Sequence, residues 1–232
     1  MTQTFLSQFL GLYHSKKNIL FIGDIHSGED QYLSKNGIFS LDLNLAEIKE
    51  TLLEIVSSKT YTKIILLGDL AIRFKPLTKE DEEHIQSILD ILSKHTKKII
   101  VLKGNHDIFL TQFLSSQGIS FLDFYEEDDF ICVHGDKPFP FPLDKTIIIG
   151  HEHPCVSISD GIRKEVFKCT LKIPYNKKCL YVLPSISQLR LGIDLTKESP
   201  LGPILTSDIL KKGDVYVHEK NDSFLFKNFF SL

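Results

Sequence analysis

Five short apolar runs in this chain each end in residues that can bind a cation or move a proton. Residues 19–22 lead into Gly23, Asp24, Ile25 and His26, and residues 64–67 into Gly68 and Asp69. Residues 99–102 lead, after Lys103, into Gly104, Asn105, His106 and Asp107. Residues 131–133 lead into His134, Gly135 and Asp136, and residues 147–149 into Gly150, His151, Glu152 and His153. Imidazole, carboxylate and amide oxygen together suit Mn²⁺, Fe²⁺ or Zn²⁺ rather than a cysteine-rich structural zinc site. One carboxylate can bridge two such ions. A pair about 3.5–4 Å apart clamps the attacking and leaving oxygens of a phosphoryl transfer. A lone His at a strand end is more often a hydrogen-bonded residue than a ligand, and Asn105-His106-Asp107 alone reads as a turn. Five such sets at successive strand ends are what argues for a metal-dependent site.

The elements that must position these residues alternate in the first half. Leu45, Ile48, Leu52, Ile55 and Val56 follow helical spacing, with Asn44 and Glu47 resembling a capping box at the start. Ile85, Ile88, Leu89 and Leu92 form a second helical stripe, started by Thr78 and Asp81. The pattern is β-α-β-α-β, which predicts a parallel sheet with right-handed crossovers. Ligands bind beyond the carboxyl ends of such strands, where the backbone is rigid enough to hold a metal. The second half predicts strands at 130–133, 147–149, 180–183 and 215–217. Asp160-Gly161 predicts a hairpin. Phe167, Cys169 and Leu171 alternate with Lys168, Thr170 and Lys172, as in a half-buried strand. Phe224, Phe226 and Phe229 read as sheet packing. Residues 1–17 are an added strand or an arm, packed in part through Phe5, Phe9, Leu12 and Tyr13. The whole of 1–232 is expected to form a single α/β domain.

Composition narrows the class. Hydrophobic residues at 42% and charged residues at 25% describe an ordinary globule. A net charge of -3 excludes a protein held on nucleic acid by bulk charge alone. The 27 basic residues include only three arginines, Arg73, Arg163 and Arg190, and arginine is the residue that grips phosphate bidentately. Cys132, Cys155, Cys169 and Cys179 form no CxxC pair and read as small buried hydrophobes. No apolar run approaches the ~20 residues of a membrane span, and no secretory signal is visible. The expected location is the cytoplasm, with no membrane partner.

The ordered set Asp-x-His, Gly-Asp, Gly-Asn-His-Asp, His-Gly and Gly-His-x-His, running from residue 24 to 153, resembles the calcineurin-like metallophosphoesterase superfamily. The text Gly-His-Glu-His-Pro is most similar to the small archaeal SbcD-related phosphoesterases and to bacterial ligase-associated DNA-damage-response endonucleases. The resemblance implies a four-layer αββα sandwich with mixed sheets and two divalent ions, Mn²⁺ first, with Fe, Zn, Ni or Co as alternatives. It implies that Asp24, His26 and His153 hold one ion, that Asn105, His134 and His151 hold the other, and that Asp69 bridges them. His106 would be catalytic, facing the scissile phosphate and protonating the leaving oxygen. The nucleophile would be a hydroxide bridging the ions. Asp107 either orients the His106 loop or serves only locally.

The implied activity is phosphoester hydrolysis by a phosphodiesterase or nuclease acting on DNA or RNA. Alternatives are a phosphomonoesterase or small-nucleotide hydrolase, and a metal-stabilised protein-binding scaffold. The complete ligand set speaks against the scaffold. Several branches continue Gly-Asp-x-x-Asp-Arg where this chain has Gly68-Asp69-Leu70-Ala71-Ile72-Arg73. Ile72 in place of the second Asp disfavours the protein-phosphatase branch. Arg73 is either a phosphate contact or a surface residue. Lys164, Lys168 and Lys172, with Lys177 and Lys178 beyond, form either a nucleic-acid face or a solvated strand face. Residues 126–129 read as a solvated acidic turn, and His14, His84, His95 and His218 as structural or solvent-facing.

Overall fold

The computed structural model describes residues 4–29, 44–72, 75–220 and 222–231. Arg73 lies outside the described residues. The first sheet has six strands in chain order: β1 (Phe5–Gln8), β2 (Gly11–His14), β3 (Ile19–Ile22), β4 (Lys63–Leu66), β5 (Ile99–Leu102) and β6 (Ser120–Leu122). Strands β1, β2 and β3 are antiparallel, and β3 to β6 run parallel. Helices α1 (Asn44–Val56), α2 (Lys79–Ser93) and α3 (Thr111–Ser116) fall between the parallel strands in the chain.

The second sheet is built from β7 (Phe124–Glu126), β8 (Phe130–Val133), β9 (Thr146–Ile149), β10 (Pro154–Ser159), β11 (Lys164–Tyr175), β12 (Lys178–Val182), β13 (Ile193–Asp194), β14 (Asp214–Glu219) and β15 (Asp222–Phe226). Its order is β13-β10-β11-β12-β9-β8-β7, with β14 on β11 and β15 on β14. Strands β8, β9 and β12 are parallel at its centre, and β10, β11 and β12 are antiparallel.

Strand periodicity sorts the core into layers. Successive side chains point to opposite faces, so a strand covered on both sides must be apolar throughout. In β3, Leu20 and Ile22 meet the stripes of α1 and α2, whereas Ile19 and Phe21 face the second sheet. In β9, Ile148 faces the first sheet, whereas Ile147 and Ile149 face the outer layer with Leu210 of α4 (Ser207–Leu210) and Phe229. The result is the four-layer αββα sandwich with mixed sheets. Phe21 and Phe130 meet edge to face between the sheets with ring centroids 5.1 Å apart.

Helix α2 starts as expected. Thr78 N donates to Asp81 Oδ2 at 2.7 Å, and Asp81 N donates to Thr78 Oγ1 at 3.3 Å. The expected box at α1 is replaced: Asn44 Oδ1 accepts from Ser187 Oγ at 3.0 Å. The Asp160-Gly161 hairpin forms, with Ser159 opposite Lys164.

Other expectations are corrected by tertiary context. Strand β11 is buried on both faces from Lys168 to Leu171: Cys169 and Leu171 pack into the core, Lys168 lies under the carbonyls of Ser185 and Ser187, and Thr170 meets His218. Lys168 is therefore no part of a basic face. Phe224 and Phe226 are substantially exposed on the edge strand β15, and Phe229 alone of the three packs on the core. Residues 5–14 form a strand pair rather than an arm. His14 and His218 are buried and hydrogen-bonded, to Asp129 and to Thr170 and Ser223 respectively. Among the described residues all four cysteines are free thiols, three of them buried. No helix among the described residues is long and apolar enough to cross a membrane.

Within the acidic run Asp128 is solvated as expected, whereas Glu127 is the hub of an ion-pair network. Glu127 accepts from Lys17 Nζ at 2.7 Å, from Tyr125 Oη at 2.8 Å and from Lys63 Nζ. Burial alone would raise its pKa; the hydrogen bonds from Lys17, Lys63 and Tyr125 outweigh this and bring it down to about 2.

Two predictions follow from this packing. Phe21→Ala, which empties the space opposite Phe130, is expected to cost about 3–5 kcal/mol in urea unfolding. For Glu127, the ionised form is favoured by folding, so its contribution is complete above the ordinary value of about 4.5 and is lost as pH falls towards about 2. Urea midpoints of wild type and Glu127→Gln should therefore converge across that window; a constant gap would refute the network's role.

Candidate metal centre

The eight residues singled out lie at the carboxyl ends of five strands, three from the first sheet and two from the second. Asp24 and His26 follow β3, Asp69 follows β4, and Asn105 and His106 follow β5. His134 follows β8, and His151 and His153 follow β9. Face-to-face packing of the sheets brings these ends together.

Two overlapping groups have ligand atoms within 4.8 Å of one another: Asp24, His26 and His153, and Asp24, Asp69 and His134. All five residues are buried. His26 Nε2 lies 3.0 Å from His153 Nε2. Asp24 Oδ2 lies 3.9 Å from His26 Nε2 and 3.7 Å from His153 Nδ1. In the second group, His134 Nε2 lies 3.4 Å from Asp69 Oδ2, and His134 Nδ1 lies 3.8 Å from Asp24 Oδ2. Asn105 Oδ1 lies 3.0 Å from the same His134 Nε2. The His151 ring stands 5.0 Å from that of His134. His106 sits at the edge, its ring centroid 5.8 Å from that of His26 and its Nε2 3.9 Å from Asp69 Oδ2. The carboxylate common to both groups is Asp24, whereas the sequence resemblance points to Asp69 as the shared one.

The backbone is shaped to hold these side chains. Gly104 and Gly150 are required by close approach: a Cβ would lie 2.0 Å from Asp69 Oδ1 at the first and 2.2 Å from Asp24 Oδ1 at the second. His26, Asp69, His151 and His153 have positive φ. Such conformations cost free energy and persist only where the surroundings over-determine them. Here backbone bonds do so. Ile25 N and His26 N both donate to Asp69 O, at 3.1 and 2.9 Å. Asp69 Oδ1 accepts from His106 N at 2.9 Å, and Asp24 Oδ1 accepts from His151 N at 3.1 Å. Asp107 is buried and accepts from Gly104 N at 3.1 Å and Ala71 N at 3.3 Å. It thus orients the His106 loop against the loop after β4.

The electrostatics suit cations. Burial pushes Asp24 up to about 8. Burial also drives His26 down to about 3 and His153 well below its usual range. Both imidazoles are therefore neutral and can offer a lone pair. His26 Nδ1 and His153 Nδ1 are buried without a hydrogen-bond partner. His134 Nδ1 lies 3.0 Å from Leu67 O, an outer hydrogen bond that fixes the ring and turns Nε2 inward. Two buried carboxylates, unpartnered ring nitrogens and an amide oxygen form a donor set that fits divalent ions.

Several residues near the centre carry no motif. Arg190 Nε donates to Glu29 Oε1 at 2.6 Å, and Lys168 Nζ donates to Ser185 O at 2.8 Å. Glu152, within Gly-His-Glu-His, turns away and accepts from Leu201 N and Gly202 N. The scarcity of arginine was the one sequence signal that pointed towards Arg190.

Comparison with known proteins follows from this geometry. No curated protein sequence matches the chain. The nuclease MPE of Pseudomonas putida has a similar structure, with a TM-score of 0.63 at 16% identity, over 92% of this chain and 91% of that one. The E. coli phosphoesterase Yfce gives a TM-score of 0.42 at 16% identity, over 78% of this chain and 84% of that one. The family model described as calcineurin-like phosphoesterase matches residues 17–174, a span that holds all eight of these side chains. The chain belongs to the calcineurin-like phosphoesterase family.

Proposed function

We propose that residues 1–232 act as one catalytic domain, a divalent-metal-dependent phosphodiesterase or nuclease acting on DNA or RNA. The observation that carries this reading is the pair of overlapping buried clusters that share Asp24, with His106 at their rim. In the proposed assignment Asp24, His26 and His153 hold one ion, and Asn105, His134 and His151 hold the other. Asp69 would bridge them, as the family resemblance implies; its Oδ2 faces His134, while Asp24 is the carboxylate that lies in both groups. The mixed oxygen and imidazole donors suit Mn²⁺, Fe²⁺ or Zn²⁺, and Mn²⁺ is put first on the family resemblance. When bound, such ions supply Lewis-acid neutralisation of the phosphoester and make hydroxide available near neutral pH.

The protein's own groups do the rest. His106 is partly exposed, so its ring can meet a substrate that enters from solvent. It stabilises charge on the phosphate oxygens and delivers a proton from its imidazole to the leaving oxygen. Asp69 holds the His106 backbone, and Asp107 holds the turn around it. A cavity of about 370 Å³ adjoins the centre, lined by Gly104, His134, Lys103, Lys137, Phe121 and Phe139. It has room for more than a phosphate group; Lys103 and Lys137 in its lining are paired with Asp123 and Asp136, and the rings of Phe121 and Phe139 suit stacking on a base. The fold shared with a Pseudomonas putida nuclease supports the same reading.

The test is Mn²⁺-dependent hydrolysis of bis-p-nitrophenyl phosphate, followed by DNA and RNA. Asp69→Asn should abolish activity. It should also weaken Mn²⁺ binding by more than the roughly 10–100-fold lost with an outer hydrogen bond. Full activity in that variant would remove Asp69 from the site. His106→Ala should keep Mn²⁺ but lose about 10²–10⁴-fold in turnover. Loss of Mn²⁺ from His106→Ala would instead make that residue a ligand.

A further inference from the structure

One arginine stands on a loop tied to the candidate metal centre, an element that carries none of the motifs. The loop 184–193 follows β12 and leads into β13. It is fastened to the centre at both ends. Ile186 N donates to Asp24 O at 2.7 Å, and Ile193 N donates to His153 O at 3.1 Å. Its middle is held from within. Ser185 Oγ donates to Arg190 O at 2.9 Å. Lys168 Nζ, deeply buried, donates to Ser185 O at 2.8 Å and to Ser187 O at 2.5 Å. Burying an ammonium is costly unless it is hydrogen-bonded, and these two carbonyls satisfy it. The loop is therefore a fixed platform, and the two residues it is tied to belong to the first cluster.

Arg190 stands on this platform. Its Nε donates to Glu29 Oε1, and Glu29 is itself buried, three residues beyond His26. Ser187 Oγ lies 3.4 Å from the other Glu29 oxygen. The carboxylate thus takes the Nε position and fixes the plane of the guanidinium. A guanidinium has five N–H donors in a rigid fork, so the pair of terminal nitrogens remains as a second edge. The side chain keeps 35% exposure, so that edge is accessible. The loop bonds to Asp24 O and His153 O, and the pairing with Glu29 shortly after His26, place Arg190 beside the first cluster. Arg163 is on the exposed hairpin between β10 and β11, away from this loop.

We propose that Arg190 is an oxyanion clamp: with Nε held by Glu29, its terminal N–H groups bind a non-bridging oxygen of the substrate phosphate. The clamp rests on the phosphoesterase reading above and adds to it a positively charged binding residue outside the family's motif set. Glu29, Ser185 and Lys168 are positioning residues that act through Arg190 and its loop. The ligand chemistry is a phosphate oxyanion, whether on a phosphodiester or on the phosphomonoester that its hydrolysis leaves, and inorganic phosphate serves as its probe.

The experiment measures binding apart from turnover. Inorganic phosphate is titrated calorimetrically into Mn²⁺-loaded wild type, Arg190→Ala and Arg190→Lys. Mn²⁺ is titrated into each metal-free protein, and kcat and KM are measured on bis-p-nitrophenyl phosphate. Arg190→Ala should raise both the phosphate Kd and KM by about 10–100-fold, the value of a charge-assisted hydrogen bond. Its Mn²⁺ affinity should stay within about twofold. Arg190→Lys should recover only part of the loss, because a point charge cannot reach Glu29 and phosphate with a planar fork. It also replaces Arg190→Ala in the comparison if the alanine variant fails to fold. Unchanged phosphate Kd and KM would overturn the clamp and leave Arg190 as a partner of Glu29. A parallel loss of Mn²⁺ binding would overturn it too, since the loop would then serve the metal ligands. Wild type that turns over no phosphodiester yet binds phosphate through Arg190 would reject the proposed activity and uphold the anion site. Active wild type matched by Arg190→Ala would do the reverse.

Discussion

Asp24 has no access to solvent, and a carboxylate in that position is costly unless something compensates it. The surrounding structure is organised around that cost. His151 N donates to the carboxylate, while His26, His134 and His153 surround it with ring nitrogens. The backbone of Asp24 in turn anchors the loop 184–193 through Ile186 N. One residue thus ties the ends of β3, β8 and β9 and the loop after β12 to a single point. Direct hydrogen bonding offsets only part of that cost, and the ring nitrogens and carboxylates gathered here form a donor set that fits a divalent cation.

The distances within that centre are set by how the two sheets pack. The candidate ligands that follow β3, β4 and β5 belong to one sheet, and those that follow β8 and β9 to the other. Their separation therefore depends on the inter-sheet core of Phe21, Ile65, Phe130 and Ile148. At the opposite ends of the strands, Lys17 and Lys63 of the first sheet meet Glu127 of the second, and His14 meets Asp129. The sheets are fastened by charge at one end and joined through the acidic and imidazole groups at the other, with apolar packing between. A close-packed core transmits displacement rather than absorbing it, so the geometry at the metal end is held from a distance.

Backbone strain is concentrated where the side chains converge. Positive φ at His26, Asp69, His151 and His153 turns each chain sharply after its strand. The loops after β3 and β4 compensate by pairing beyond the strand ends, with Ser27 N donating to Leu70 O and Ile72 N to Ser27 O. The adjoining loop that carries Arg190 lacks such strained ligands but is pinned on both sides to residues that have them. Rigidity of the centre is in this sense borrowed by its neighbours.

Much of the fold was legible in the chain because parallel strands buried on both faces must be apolar throughout, and the switch from such a run to Gly, Asp, Asn or His marks each strand's end. That local pattern determined the βαβαβ half, the start of α2 at Thr78, the Asp160-Gly161 hairpin and the eight residues at the centre. Short-range periodicity failed where the neighbours of a strand decide its exposure. Lys168 and Thr170 alternate like a solvated face, yet Ser185 and Ser187 cover the first and His218 meets the second. Phe224 and Phe226 read as core, yet β15 is an edge strand on which both stay substantially exposed. Tertiary structure alone decided that Asp24 joins both clusters, that Glu127 bridges two lysines from the other sheet, and that Arg190 meets Glu29 across 161 residues of chain. Hydrophobic pattern is a property of neighbours in sequence, whereas charge compensation is a property of neighbours in space, and only folding makes the second set known.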